Sequence, residues 1–298
     1  MIFKCLLCLF SSLLCLPPAY AQSNGKLPAR GALYKISDGR HTLHLFGTIH
    51  VGKPDFYPLE ARVMQALQQA PVIALELNPN DGKGLQDAML RHGLYPDGQS
   101  FRDTLPPPVT QSLLAALAQY KIPVANVERF RPWLLATTLT VEEYAANGYQ
   151  TSSAIDIYLA GYMRQRGKPV IELESAEQQM TLFSQLSDEE ESRFLSDTLD
   201  ELNDPGSRRK LLELIELWRT ADSKALAALL LDMDKSFADR FTRRVLLDQR
   251  NPLLAEGIAR LLKQQDKAFA AIGILHLVGP QGVPELLRQR GYQVEQIY

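Results

Sequence analysis

Residues 46–52 read FGTIHVG and residues 272–279 read IGILHLVG. Each is an apolar run that reaches Gly-x-x-His (Gly47 to His50, Gly273 to His276) and then meets a second glycine, Gly52 or Gly279. Imidazole titrates near neutral pH and is the commonest metal ligand, so two histidines in matching settings are candidates for one shared site. Glu76 makes a related case. It lies inside the apolar run VIALEL, and a carboxylate is costly to bury there unless it is paired or binds a metal. A bland account exists for each residue. A lone histidine at a strand end is more often a hydrogen-bonded structural residue, and Glu76 could simply form an ion pair with Arg62 or Arg129. The duplicated context favours the pair as functional.

Such residues need elements to hold them. ALYKIS (32–37) and HTLHLF (41–46) flank Asp38-Gly39-Arg40, a strong hairpin signal, and the second strand is expected to run on to His50. Pro58 should open a helix to about Gln69, with VIALEL (72–77) as the next strand. The chain end repeats this plan: KAFAAIGILH (267–276) as strand, Pro284 to Arg290 as helix, YQVEQIY (292–298) as strand. IPVANV (122–127) and PVIELE (169–174) read as two weaker strands. The span from about 82 to 265 is otherwise helical in pattern, with helices near 108–120, 132–147, 152–166, 187–202, 207–219, 223–247 and 252–264.

The expected fold is therefore α/β (α+β-like). A central mixed sheet is formed by N- and C-terminal strand–helix–strand units, with a large helical insertion, all in one domain over residues 22–298. In parallel α/β units, ligands gather beyond the carboxyl ends of the strands. His50, His276, Glu76, Glu174 and Glu128 all fall at such ends in this reading. The glycines suit it too: Gly47 and Gly273 permit close backbone approach, while Gly52 and Gly279 permit a tight exit.

Other chemistries are excluded by missing motifs. There is no His-Glu-x-x-His, Gly-x-Ser-x-Gly, P-loop or Gly-x-Gly-x-x-Gly. His41 and His44, three apart on one strand, point to opposite faces and make poor co-ligands, and His92 reads as a helix end. With 32 basic against 34 acidic residues, the chain has no electrostatic footprint for nucleic acid. Residues 1–21 carry Lys4, an apolar stretch from Cys5 to Leu16 and the small-x-small site Ala19-Tyr20-Ala21, the layout of a cleavable secretory signal. Its apolar stretch is too short to span a bilayer, and no later stretch is long and apolar enough. The expectation is a periplasmic or secreted protein. All three cysteines (Cys5, Cys8, Cys15) would leave with the signal, so neither a disulfide nor a Cys-ligated metal is expected.

Gly47-Thr48-Ile49-His50, the Glu76 strand, Arg131-Pro132-Trp133, Asp156 in SAIDIYL, Gly167-Lys168-Pro169, Leu173-Glu174, Arg250-Asn251 and Gly273-Ile274-Leu275-His276-Leu277 occur in an order that resembles the TraB/PrgY/GumN family. The resemblance runs from about residue 31 to 298. That family is similar to the Tiki proteins, membrane-anchored animal metalloproteases that cut peptides near their amino ends. Their activity is associated with paired Gly-x-x-His motifs and a divalent metal such as manganese or cobalt. The resemblance implies that His50 and His276 are metal ligands, with Glu76 as third ligand or general base. Arg250 would bind substrate or steady an oxyanion, and Arg131, Asp156, Glu174 and Asn251 would bind substrate or support the site. The implied cofactor is Mn, Co or Zn, and the implied partner a peptide or small-molecule substrate.

Several of these residues have ordinary structural uses. Asn251-Pro252 is a natural N-cap and N1 pair, Pro132 also suits N1, Trp133 suits the core, and Asp156 could pair with a basic residue. Three functions stay open: a metal-dependent hydrolase, a metal-independent hydrolase of erythromycin-esterase-like type with His50 and Glu76 as base and orienter, and a non-catalytic peptide- or cofactor-binding protein. The leader generates the first prediction. Protein purified from its native host should begin at Gln22 by N-terminal sequencing, and an intact Met1 would refute the signal.

Overall fold

The computed structural model describes residues 30–298, so the leader and its cleavage site lie outside the described residues. β1 (Leu33–Ser37) and β2 (Thr42–Thr48) form the expected hairpin. Asp38 Oδ1 accepts from the N–H of Arg40 at 2.8 Å and of His41 at 2.7 Å, and Gly39 takes φ 89°, a conformation open to glycine at little cost. Four further strands follow: β3 (Ile73–Leu75), β4 (Val170–Glu172), β5 (Ala268–Gly273) and β6 (Gln293–Gln296).

They make one mixed six-stranded sheet in the order β4-β3-β5-β2-β1-β6. β4, β3, β5 and β2 are parallel, and β1 is antiparallel to both its neighbours. β5, from near the end of the chain, is therefore inserted between β2 and β3. It pairs with both, and its side chains are buried from Ala268 to Ile272. This brings the carboxyl ends of β2, β3, β4 and β5 to one edge. An α/β fold with a central mixed sheet and many helices is what the structure has.

The helices bury a second apolar cluster. Leu113 and Leu117, Trp133 and Leu139, Leu195 and Leu199 pack there, away from the sheet's own core of Phe46, Phe269, Leu67 and Leu159. The helix Ala176–Ser184 links the two regions: Phe183 stacks on Trp133 with ring centroids 4.5 Å apart, while Gln179 on the same helix reaches Glu76 and Glu174. Trp133 is core, as expected, and Pro132 opens the helix Pro132–Ala146.

Several expectations are corrected. IPVANV is not a strand; Val124–Val127 is a helical turn in the second cluster, because Pro123 cannot donate to a sheet ladder and is well placed before a helix start. Glu128 is thus no strand-end carboxylate, and it faces Arg102 at 3.6 Å. The first helix begins at Ala61, where Glu60 accepts from the Arg62 N–H, rather than at Pro58. The segment 223–247 is not one helix. It breaks after Ser223–Asp232, restarts at Phe237 under a Ser236–Asp239 capping box, and becomes π-helical over Thr242–Asp248. Helices Gly82–Gly93 and Ala176–Ser184 had no separate signal in the pattern. β5 stops at Gly273, and His276 lies in the 3₁₀ turn Ile274–Leu277.

That turn packs directly on β2. A Cβ added to Gly47 would lie 2.2 Å from Ile274 Cδ1 and 3.3 Å from Ile274 Cα, while Trp218 Nε1 donates to the Gly47 carbonyl at 2.9 Å. Gly47→Ala should therefore destabilise the fold by about 1–3 kcal/mol in denaturant unfolding, as overpacking of a filled core does. An unchanged midpoint would refute this packing.

Candidate active site

The four parallel strand ends place their polar groups in one cluster. Glu76 follows β3 and is buried; its Oε1 accepts from the Gly273 N–H at the end of β5 at 2.6 Å. Glu174 follows β4 and is buried as well. Between these carboxylates lies Arg250, which donates through Nε to both oxygens of Glu174 at 3.1 Å and through Nη2 to Glu76 Oε2 and Glu174 Oε2. So the partner of Glu76 is neither Arg62, which pairs with Glu60, nor Arg129, which pairs with Asp97. The π-helical stretch Thr242–Asp248 leads into Arg250, whose Nη1 donates back to the Leu246 carbonyl at 2.8 Å. Single wide turns of this kind often mark functional sites.

Each histidine is held by its Nδ1. His50 Nδ1 donates to Asp156 Oδ2 at 2.7 Å. His276 Nδ1 is 2.6 Å from Asn251 Oδ1, and Asn251 Nδ2 donates to the Gln281 carbonyl at 2.8 Å. A carbonyl can only accept, which fixes the Asn251 amide with its oxygen toward the ring; His276 Nδ1 is then the donor. Asn251 is consequently not the N-cap suggested by Asn-Pro. It is the first residue of the helix Asn251–Gln264, and its side chain caps no helix N–H.

Both rings thus turn Nε2 toward the same place. A Cβ built on Gly273 would lie 3.2 Å from Glu76 Oε1, 3.6 Å from His50 Nε2 and 3.6 Å from His276 Cδ2. His276 Nε2 is 3.8 Å from Glu76 Oε2. Of the residues singled out in the sequence, the structure brings together His50, Glu76, Asp156, Glu174, Arg250, Asn251 and His276. Arg131 is engaged elsewhere, bonded to Glu191 and Asp188 and lying over Tyr95. His41 lies just outside β2 beside Asp38, and His92 pairs with Glu177. Gln179 was missed. A glutamine inside a polar helix gives no sign that its amide will donate to Glu174 at 3.1 Å and to Glu76 at 3.5 Å.

The electrostatics follow from the partners. Burial alone would raise the Glu76 carboxyl, but His276, Arg250, His50 and the Gly273 N–H together hold it well below the usual carboxylate range. The Asp156 carboxylate holds the His50 pKa above the ordinary imidazole value, although its ring is 67 % exposed and water screens part of the attraction. His276 is pushed down to about 4, chiefly by burial; Glu76 works against this, and Arg250 and His50 work with it. At neutral pH His276 Nε2 is therefore a lone-pair acceptor facing a carboxylate oxygen.

Two acceptors so placed suit a cation or a water between them. Among the described residues, no three His, Cys, Asp or Glu side chains stand close enough to close a metal site as they are. The donor chemistry nevertheless fits a divalent ion. Both imidazoles have Nδ1 tied to an oxygen acceptor, the arrangement that orients metal-bound histidines, and a carboxylate lies beside them.

The chain matches the TraB/PrgY/gumN family over residues 32–296 and belongs to it. It is 25% identical to YbaP of Escherichia coli (strain K12) over 253 residues, which covers 84% of this chain and 89% of that protein. It is 26% identical over 305 residues to the metalloprotease TIKI1 of Danio rerio and 24% identical over 304 residues to the human metalloprotease TIKI1. Those alignments cover 85% of this chain but only 60% and 59% of the respective relatives. No solved structure matches.

The His276 shift generates a prediction on the metal-free protein. The unfolded chain protonates this histidine below the ordinary 6.5, whereas the folded protein keeps it neutral down to about 4. Its contribution to stability is thus full above 6.5 and is lost as pH falls toward 4. Between pH 7 and pH 5, wild type should lose roughly 2 kcal/mol more unfolding free energy than His276→Gln, measured by urea unfolding in chelator. Parallel losses would refute the depressed pKa.

Proposed function

We propose that the protein is an exported, metal-dependent hydrolase that acts on peptides. The observation that carries this reading is the pair of imidazoles, each fixed through Nδ1, with His276 Nε2 3.8 Å from Glu76 Oε2 and His50 Nε2 beside the same glycine, Gly273. The Tiki relatives, metalloproteases by name, support the reaction class. His50 Nε2, His276 Nε2 and Glu76 would hold the ion, which is Mn, Co or Zn. When bound it polarises a carbonyl and acidifies a water.

The chain's own residues do the rest. Asp156 and Asn251 set the tautomers of the two rings. Arg250, only 12 % exposed in its side chain and spent on Glu76 and Glu174, holds both carboxylates in place and favours the charged form of Glu76, rather than reaching a substrate oxyanion. Exposed His50 lies at the open side, where a substrate would enter. The leader residues would direct the protein to the periplasm or out of the cell. The expected one-domain arrangement is supported by the helix that spans from Trp133 to Glu76.

A second reading has its own support. Both oxygens of Glu76 already have donors, so a metal-independent hydrolase is compatible with the same groups. In it His50 Nε2 takes and releases the proton, and Asp156 rather than Glu76 is the orienting group behind it. One experiment separates the readings. Cleavage of a peptide library should appear with added Mn²⁺, Co²⁺ or Zn²⁺ and vanish in chelator, and His50→Ala and His276→Ala should each lower it at least a hundredfold with the fold retained by circular dichroism. Chelator-resistant turnover that still needs His50 would select the second reading. Stoichiometric peptide binding without any turnover would show a binding protein instead.

A further inference from the structure

Thr48 ends β2 and is completely buried, and its hydroxyl has no hydrogen-bond partner among the described residues. Such a group loses its water on folding without replacing it, which is unfavourable, so a partner outside the protein's own atoms is expected.

Where that partner lies follows from the ladder. Thr48 pairs with Gly273 in the parallel register of β2 and β5. Paired residues on neighbouring strands project to the same face, because side chains alternate along each strand in step. Further back along the same face, Phe46 (two residues before Thr48) and Phe269 (four before Gly273) have ring centroids 6.4 Å apart, which shows the shared side directly. Gly47, one residue out of phase, faces Ile274 and Leu277 instead. The Thr48 side chain therefore rises on the side of the sheet where a Gly273 Cβ would approach Glu76 Oε1 and His50 Nε2. Since Gly273 has no side chain, nothing on β5 fills the space beside the hydroxyl.

We infer that Thr48 Oγ1 forms the floor of the site and hydrogen-bonds the water on which the site acts, holding it between Glu76 and the two imidazoles. A hydroxyl both donates and accepts, so it can grip a water that also meets two acceptors, Glu76 and the neutral His276 Nε2, and a donor, the Nε2–H of protonated His50. That this water is the reacting one rests on the hydrolase reading; that an ordered water lies there does not.

The test uses Thr48→Val, which keeps the shape and removes the hydroxyl, and Thr48→Ser, which keeps the hydroxyl. A crystal structure of the wild-type protein at about 1.5 Å should show an ordered oxygen within hydrogen-bond distance of Thr48 Oγ1 on the Glu76 side, and Thr48→Val should lack it. Turnover of the peptide library should fall at least tenfold in Thr48→Val and stay within threefold of wild type in Thr48→Ser. An idle hydroxyl gives the opposite pattern: no such oxygen, a higher thermal midpoint in Thr48→Val, and turnover unchanged. That pattern overturns the inference. If wild type turns over no peptide, the hydrolase reading fails by itself, and the presence or absence of the oxygen in the two crystal structures still decides the role of Thr48.

Discussion

The structure is organised by the need to satisfy Glu76 and Glu174, two carboxyl groups at the buried ends of neighbouring strands. Two adjacent carboxylates in a poorly solvated place repel each other and each loses hydration. Arg250 answers both at once, and its planar guanidinium suits the task because several donors lie in one plane. Removing either side of such a buried pair leaves a stranded charge, a change of roughly 3–5 kcal/mol, so the position of the guanidinium is tightly constrained. That constraint reaches into the backbone. The wide helical turns of Thr242–Asp248 and the start of Asn251–Gln264 bring Arg250 to the strand ends, and the next residue, Asn251, then lands on His276.

The two histidines are alike in motif and unlike in setting. His276 is enclosed, with an amide behind it, and stays neutral. His50 is open to solvent, with a carboxylate behind it that favours its protonated form. An amide partner orients a ring without adding charge, while a carboxylate adds both orientation and basicity. The site thus has an inner imidazole that fixes geometry and an outer one that can exchange protons with whatever enters. The strand order makes this pairing possible: β5, from the end of the chain, lies beside β2 and β3 from its beginning, so two distant Gly-x-x-His segments share one edge.

Membership of the TraB/PrgY/gumN family agrees with this arrangement, since the matched span of residues 32–296 includes every group in the cluster. Within that span, residues of the ordered motifs differ in what they do. Arg131 shows the difference. It occurs within an ordered motif, yet its partners are Glu191 and Asp188 in the helical layer, and it serves that packing. By contrast Gln179, which no motif announces, touches both buried carboxylates.

Elements whose signals are local can be read from the chain alone. Asp38-Gly39 makes the hairpin turn through its own backbone and side chain, and the apolar runs of β3 and β5 read as buried strands because every residue in them is apolar. The likeness of the two Gly-x-x-His settings also singled out His50 and His276, and burial made Glu76 conspicuous. The partners of these groups are settled by packing across the fold. A carboxylate in an apolar run demands a cation but does not say which, and Arg250 is reached through a helix that bends out of regular geometry. Asn251 satisfies the local rule for a helix cap, yet a stronger acceptor role toward His276 claims its oxygen. IPVANV has strand-forming residues, but Pro123 and the surrounding helices make it a turn. Thr48 looks like any β-branched strand residue; its unsatisfied hydroxyl becomes visible only when β5 is laid beside it with a glycine opposite. In each case the local preference is worth a kilocalorie or so, and the burial of charge or the closing of the core outweighs it.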